Sequence, residues 1–256
     1  MVTPVSVKEL LTAGVHFGHR VSRWNPRMRP YIFGKRNLIH IIDLRATIHG
    51  LVTACHVLTA LAKQGKDFLF VGTKKQARSV VETAAKSCNQ HYVTERWIGG
   101  TLTNYATVSH RLQRLFEIER MEADGRIEMY GKKERSHIMR EKRKLKRNLE
   151  GIRNMGKMPG ALVIVDPRRE KNAVREANKL KIPVIAVIDT DADPQLVDVP
   201  IPANDDAFRV NQILITRLAE AVMAGRTASN TAPILPLGEA PGGEAPPPVP
   251  PTVPQV

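Results

Sequence analysis

The sequence predicts a doubly wound, mainly parallel α/β sheet with a two-helix coiled-coil hairpin inserted between two of its strands. Three observations carry that prediction. Contiguous apolar runs such as Phe68 to Val71 and Ala161 to Val165 have the composition of strands covered on both faces. Polar turns follow these runs and lead into segments with apolar residues at helical spacing, the alternation of βα units. Between Tyr105 and Met158 the alternation stops and no strand signal remains.

Taken in order, Val5 to Ala13 is a short amphipathic helix, with Ser6 as N-cap, Glu9 as capping-box partner and Gly14 just past the end. It is placed as a lid on the sheet. The next stretch alternates glycine, proline, basic and aromatic residues too closely for a long element, but Tyr31-Ile32-Phe33 and Leu38 to Ile42 read as a β-hairpin around Gly34 to Asn37. Asp43 or Thr47 caps a helix whose apolar face runs through Ile48, Leu51, Val52, Cys55, Leu58 and Leu61, and Gly65 ends it. The strand Phe68 to Val71 stops at Gly72-Thr73-Lys74-Lys75. A helix using Val80, Val81, Ala84 and Cys88 follows, then a short strand at His91 to Val93 and the segment TERWIGGTLTN, where Gly99-Gly100 breaks regular structure.

Two helices separated by Asp124-Gly125 and Gly131 fill the strandless region. Their apolar stripe is narrow: Val108, Leu112, Leu115 and Ile118, then Leu145, Leu149 and Ile152. Such a stripe suits a hairpin standing off the core. Past Pro159 come strands at Ala161 to Val165, Pro183 to Ile188 and Val199 to Ile201. A helix with Val174, Ala177 and Leu180 intervenes, and Asn204 is placed to cap a last helix with Phe208, Leu214, Ile215, Leu218 and Val222 inward. The α/β domain is therefore discontinuous, residues 1–104 and 159–226, with the hairpin at 105–158. Residues 227–256 hold nine prolines without apolar periodicity, which predicts a disordered or polyproline-like tail.

Composition restricts partners more than fold. Lys and Arg number 39 against 25 Asp and Glu, a net charge of +14 with a pI near 10.1, which favours nucleic acid or another anionic surface. Cys55 and Cys88 fall on apolar helix faces without metal-ligand spacing and read as buried thiols. The N-terminus lacks an apolar core of signal-peptide length and no apolar run approaches the roughly 20 residues of a membrane span, so the expected compartment is reducing and cytoplasmic.

Flavodoxin-like and Rossmann-like sheets commonly bind nucleotides at the carboxyl edge of the strands, where helix N-terminal amides attract anions. The fingerprints are absent here: Gly72 runs directly into Thr73-Lys74-Lys75 with no second glycine, and neither GxGxxG nor GxSxG occurs. The eight histidines form no HExxH pattern, and His56 and His110 sit on helices as ordinary polar residues. No cofactor, small-molecule substrate or catalytic residue is expected. Several aspartates follow strand ends, and Asp189 and Asp206 can meet His19 there, where mixed oxygen and nitrogen ligands suit a cation. Helix caps and turns explain the same aspartates, notably Asp193 before Pro194, so no metal is assigned and the question stays open.

The positive charge is clustered. Lys132 to Lys157 has eleven Lys or Arg against three Glu, a net +8 of the total +14. Arg140, Arg143, Lys144, Lys146 and Arg147 cover several helix faces with few acidic neighbours, a self-repulsion that a polyanion relieves. A second cluster joins Arg20, Arg23, Arg27, Arg29, Lys35 and Arg36 to Trp24, Tyr31 and Phe33. Guanidinium forks reach phosphates, and the rings either stack on exposed bases or pin the loop to the core.

The blocks AGVHFGH (13–19), RWNPRMRPYIFGKRNLIHIID (23–43), LFVGTKKQA (69–77), RWIGGTLTN (96–104), KMPGALVIVDP (157–167), IPVIAVIDTDADP (182–194) and IPANDDAFR (201–209) stand in the order of one family. Together they resemble bacterial small-subunit ribosomal protein two. The resemblance implies an α/β domain with a protruding helical hairpin and no catalytic activity. It also implies a place on small-subunit ribosomal RNA near the junction of head and body, with neighbouring small-subunit ribosomal proteins as partners, including messenger-binding protein one where the organism has it. The proline-rich tail departs from the family core.

Chemistry and position then set an expected RNA-contact set. It comprises Arg20, Arg23, Trp24, Arg27, Arg29, Lys35 and Arg36 in the basic loop, Lys74 and Lys75 after the strand, and Arg96 with Trp97 before the double glycine. Arg140, Arg143, Lys144 and Arg147 on the hairpin complete it. Most of these contacts position the protein rather than read sequence.

Overall fold

The computed structural model describes residues 6–230. Five parallel strands form the main sheet: β4 (Phe68–Val71), β5 (His91–Val93), β6 (Ala161–Val165), β7 (Val184–Ile188) and β8 (Val199–Pro202) in the order β5-β4-β6-β7-β8. The chain leaves β4 toward β5 on one side and returns through β6 on the other. The direction of winding therefore switches between β4 and β6, which is where open α/β sheets form crevices at their carboxyl edge.

Both faces of the sheet are covered, as the contiguous apolar runs require. One face presents Phe68, Phe70, Val163, Val165, Ile185 and Val187 to α2 (Leu44–Lys63), α3 (Arg78–Ser87) and α7 (Phe208–Asn230). The alternate residues Leu69, Val71, Leu162, Ile164, Val184 and Ala186 face the other way, toward α6 (Lys171–Lys179) and the root of the helical hairpin. The side-chain period of two thus sorts one strand set into two cores. Cys55 and Cys88 lie in the first of them, and burial pushes both thiols up to about 11.

Helix α2 is long and apolar enough by length and composition to cross a membrane, yet its stripe Leu51, Ala54, Leu58 and Ala62 is buried in the first core. Gly50 explains how closely it packs on β8: a Cβ there would lie 2.3 Å from the Pro200 carbonyl oxygen. Asp43, not Thr47, is its cap, accepting from the Arg45 amide at 2.9 Å. At the N-terminus, α1 (Val7–Ala13) carries the predicted Ser6 cap and ends on Gly14 at φ 82°.

The basic stretch is more ordered than its composition suggests. β1 (Phe17–Arg20), β2 (Ile32–Arg36) and β3 (Ile39–Ile42) make a separate antiparallel sheet in the order β1-β3-β2. Gly34 to Arg36, expected in the turn, are strand; the reversal is made by Asn37 and Leu38, both at positive φ. Three other expectations change. Asn204 accepts from the Asp206 amide in a local turn ahead of α7 and does not cap it. Phe208, Leu180 and Val52, predicted inward, are 49%, 41% and 48% exposed, the first two at helix ends where the packing face has run out and Val52 beside the buried stripe of α2. α7 continues to Asn230, so residues 227–230 are helical, and the rest of the predicted tail lies outside the described residues.

Between β5 and β6 stand α4 (Tyr105–Ala123) and α5 (Lys132–Leu149), joined through Gly125 at φ 71°. Val108, Leu112, Leu149 and Ile152 belong to the second core, so the root of the hairpin is packed on the sheet. Only the distal part stands off, around Ile118, Ile127 and Ile138. Arg114 with Glu141, Lys142 with Glu122 and Arg153 with Glu119 bind the two arms and the root together.

Candidate nucleic-acid interface

The carboxyl edge gathers side chains from four strand ends. Lys74 leaves the turn after β4 and its Nζ lies 2.7 Å from Asp205 Oδ1, 2.6 Å from Asp206 Oδ1 and 3.8 Å from Asp166 Oδ2. Burial opposes the ammonium, but these carboxylates outweigh it and hold the lysine protonated. Asp205, almost fully buried, is pushed up to about 7 by burial and by the Asp166 and Asp189 charges, against the pull of Lys74. His19 reaches across from β1, with Nδ1 3.0 Å from Asp189 and Nε2 3.3 Å from Asp206. The hydrogen bond with Asp189, aided by neighbouring aspartate charges, raises it to about 9 despite burial.

The predicted meeting of His19, Asp189 and Asp206 therefore occurs, and Asp205 joins it. His19, Asp205 and Asp206 each turn a ligand atom into a region where these atoms lie within 4.8 Å of one another. What the sequence did not place is Lys74 among them. Its charge is matched inside the protein, so it is an internal tie and does not belong with the solvent-facing cations. Lys75, next along the turn, is exposed.

The basic loop is held from beneath. Met28 is fully buried, the Asn25 amide donates to the Thr190 carbonyl at 2.8 Å, and Asn25 Oδ1 caps the Arg27 amide at 3.0 Å. Of the three rings, Tyr31 packs on the second core and Trp24 is half-buried with its centroid 5.1 Å from that of buried His40, whereas Phe33 is 78% exposed. Arg27 pairs with Asp193. Arg20, Arg23, Arg29, Lys35 and Arg36 are exposed and meet no carboxylate among the described residues.

Trp97, expected among the RNA contacts, is turned into the protein. It is 7% exposed, and its indole Nε1 donates to Glu176 Oε1 at 3.0 Å. The Gly100, Leu102 and Thr103 amides and the Thr103 hydroxyl donate to the same carboxylate, so one α6 side chain organises the whole double-glycine segment. Burial raises the Glu176 pKa, but these donors outweigh it and hold it below the usual carboxylate value. No motif marks Glu176 in the sequence; its partners lie more than seventy residues away. Arg96, beside Trp97, stays exposed.

On the hairpin, Arg140 and Arg143 donate to the carbonyls of Ser136 and Met139, one turn back, which leaves their guanidinium termini outward. Lys144 and Arg147 are exposed as well. A family described as Ribosomal protein S2 matches residues 10–225 of the chain. The chain belongs to the ribosomal protein S2 family.

Among the relatives of this S2-family chain, one from Rhodopirellula baltica is 51% identical over 225 residues, covering 88% of the chain and 86% of the relative. Another, from Trichormus variabilis, is 49% identical over 222 residues, covering 87% and 84%. Both are named small ribosomal subunit protein uS2. The S2-family chain is accordingly a structural ribosomal protein and not an enzyme. Through their ion pairs the residues of the carboxyl-edge cluster tie β1 and the β4 turn to the segment after β8.

Proposed function

We propose that this chain is a structural component of the small ribosomal subunit that binds its ribosomal RNA by neutralising phosphates, and that it helps to seat neighbouring ribosomal proteins. The observation that carries this reading is the division among its cations. Lys74, Lys142 and Arg153 are matched internally, whereas Arg20, Arg23, Arg29, Lys35, Arg36, Lys75, Arg96, Arg140, Arg143, Lys144 and Arg147 are exposed and meet no carboxylate among the described residues. Exposed like charges held on a rigid scaffold repel one another unless a polyanion lies alongside. Trp24 and Arg27 stay in the contact set, the first through its half-exposed ring and the second through a guanidinium still 55% exposed beside Asp193. The hairpin at 105–158 presents its distal part to the RNA while its root is packed on the sheet.

Sedimentation tests the proposal. The protein is expected to travel with the small ribosomal subunit at moderate salt and to leave it as salt rises, with log affinity falling linearly in log salt. Association that survives ribonuclease digestion unchanged would make this a protein-docking scaffold instead.

A further inference from the structure

A cleft of about 320 Å³ opens where α4, α5 and the double-glycine segment meet. That is the lower end of the roughly 300–1,000 Å³ typical of small-molecule sites, and far too narrow for a duplex. Its floor is apolar: Leu149 is 1% exposed, with half-buried Ile98 and Leu145 beside it. Its rim is basic, with exposed Arg111 and Lys144, neither of which meets a carboxylate among the described residues. The remaining charges on the wall cancel, because Arg114 holds Glu141 through Nε and Nη2 at 3.4 Å each. Half-buried Asn148 completes the lining, its amide without a hydrogen-bond partner among the described residues.

We propose that this cleft receives one unstacked nucleotide of the bound RNA. An apolar floor takes the face of a base, the Asn148 amide supplies a donor and an acceptor to its edge, and Arg111 with Lys144 brackets the attached phosphate. RNA recognition favours unstacked bases in loops and bulges for this reason: their faces and edges are free. The site is set before RNA arrives. Ile98 follows Trp97, whose indole is locked to Glu176, and the hairpin arms are tied by the Arg114–Glu141 pair, so little ordering remains to oppose binding. The inference rests on the RNA-binding reading above and narrows it, adding Arg111 and Asn148 to the contacts.

The test compares full-length variants in binding small-subunit ribosomal RNA across a salt series. Asn148→Trp, which fills the cleft without touching a charge, is expected to weaken binding about tenfold, the scale of one base contact, with the salt slope unchanged. Arg111→Gln with Lys144→Gln is expected to weaken binding and flatten the slope by roughly 0.7 to 0.9, one phosphate. If Asn148→Trp lowers the melting temperature, Asn148→Leu replaces it with the same expected sense. Wild-type affinity in the cleft-filling variant, whatever the double variant does, would overturn the proposal and leave RNA binding standing. Failure of the wild-type protein to bind RNA would remove the reading beneath it. Tight competition by free nucleoside monophosphates would assign the cleft to a soluble nucleotide and equally overturn it.

Discussion

Lys74 and Lys75 are adjacent, carry the same charge and do different things. The first sits on Asp205 and Asp206 with only 13% of its side chain exposed; the second faces solvent. Lys74→Met should therefore cost roughly 3 kcal/mol of stability, because it leaves Asp205 buried and uncompensated. Lys75→Ala should leave the melting temperature unchanged and weaken RNA binding. Denaturant unfolding of the two variants, with RNA binding measured in parallel, separates the roles. His19 carries a pH signature. Folding raises its pKa from 6.5 to about 9, so its contribution is complete below 6.5 and is lost as pH rises through about 9. Asp205, raised from 3.8 to about 7, slopes the same way at lower pH. With a chelator present, His19→Gln should melt below wild type at pH 6.5, and the gap should close above pH 9.

At the scale of elements, the double-glycine segment and the hairpin are each held by a few polar groups. Glu176→Gln turns an amide NH₂ toward groups that only donate, and loss of these charge-assisted bonds should cost roughly 2–3 kcal/mol by denaturant unfolding. The sign with pH is opposite to that of His19. The Glu176 pKa is depressed, so its contribution is present above the usual 4.5 and is lost as pH falls through the folded value. The wild-type advantage over Glu176→Gln should thus shrink in acid. On α5, Arg143→Ala with Arg147→Ala should leave the fold intact, weaken RNA association and flatten the salt slope by roughly 1.4 to 1.8. An unchanged slope in that double variant would take the distal hairpin off the RNA.

For the molecule as a whole, internal ion pairs and free cations occupy different places. The carboxylates concentrate at the sheet edge and along the α4–α5 seam, where Lys74, Arg114, Lys142 and Arg153 meet them. The unmatched cations stand on the basic loop and the outer faces of α5. Exposed charges beyond a Debye length of about 8 Å scarcely feel one another at physiological salt, so such patches coexist on one small body, and the proposed RNA would bridge them. Release from the subunit should then be steep in salt, and sedimentation at stepped ionic strength measures it.

Local pattern determined the strands of the main sheet and the helices around it, because contiguous apolar runs and 3.6-residue periodicity are written into neighbouring residues, whereas β1 and the Gly34 to Arg36 part of β2, set in a basic stretch without such a pattern, came only from the tertiary structure. Phe68 to Val71 and the Val80, Val81, Ala84 face needed nothing from the rest of the chain, and seven ordered blocks were enough to indicate the family. Which lysine is free and which is bound was a different matter. Lys74 lies 131 residues from Asp205, and Trp97 lies 79 from Glu176. Only the folding of the sheet brings those partners within hydrogen-bonding reach, and charge neutralisation and burial act through space, not along the sequence.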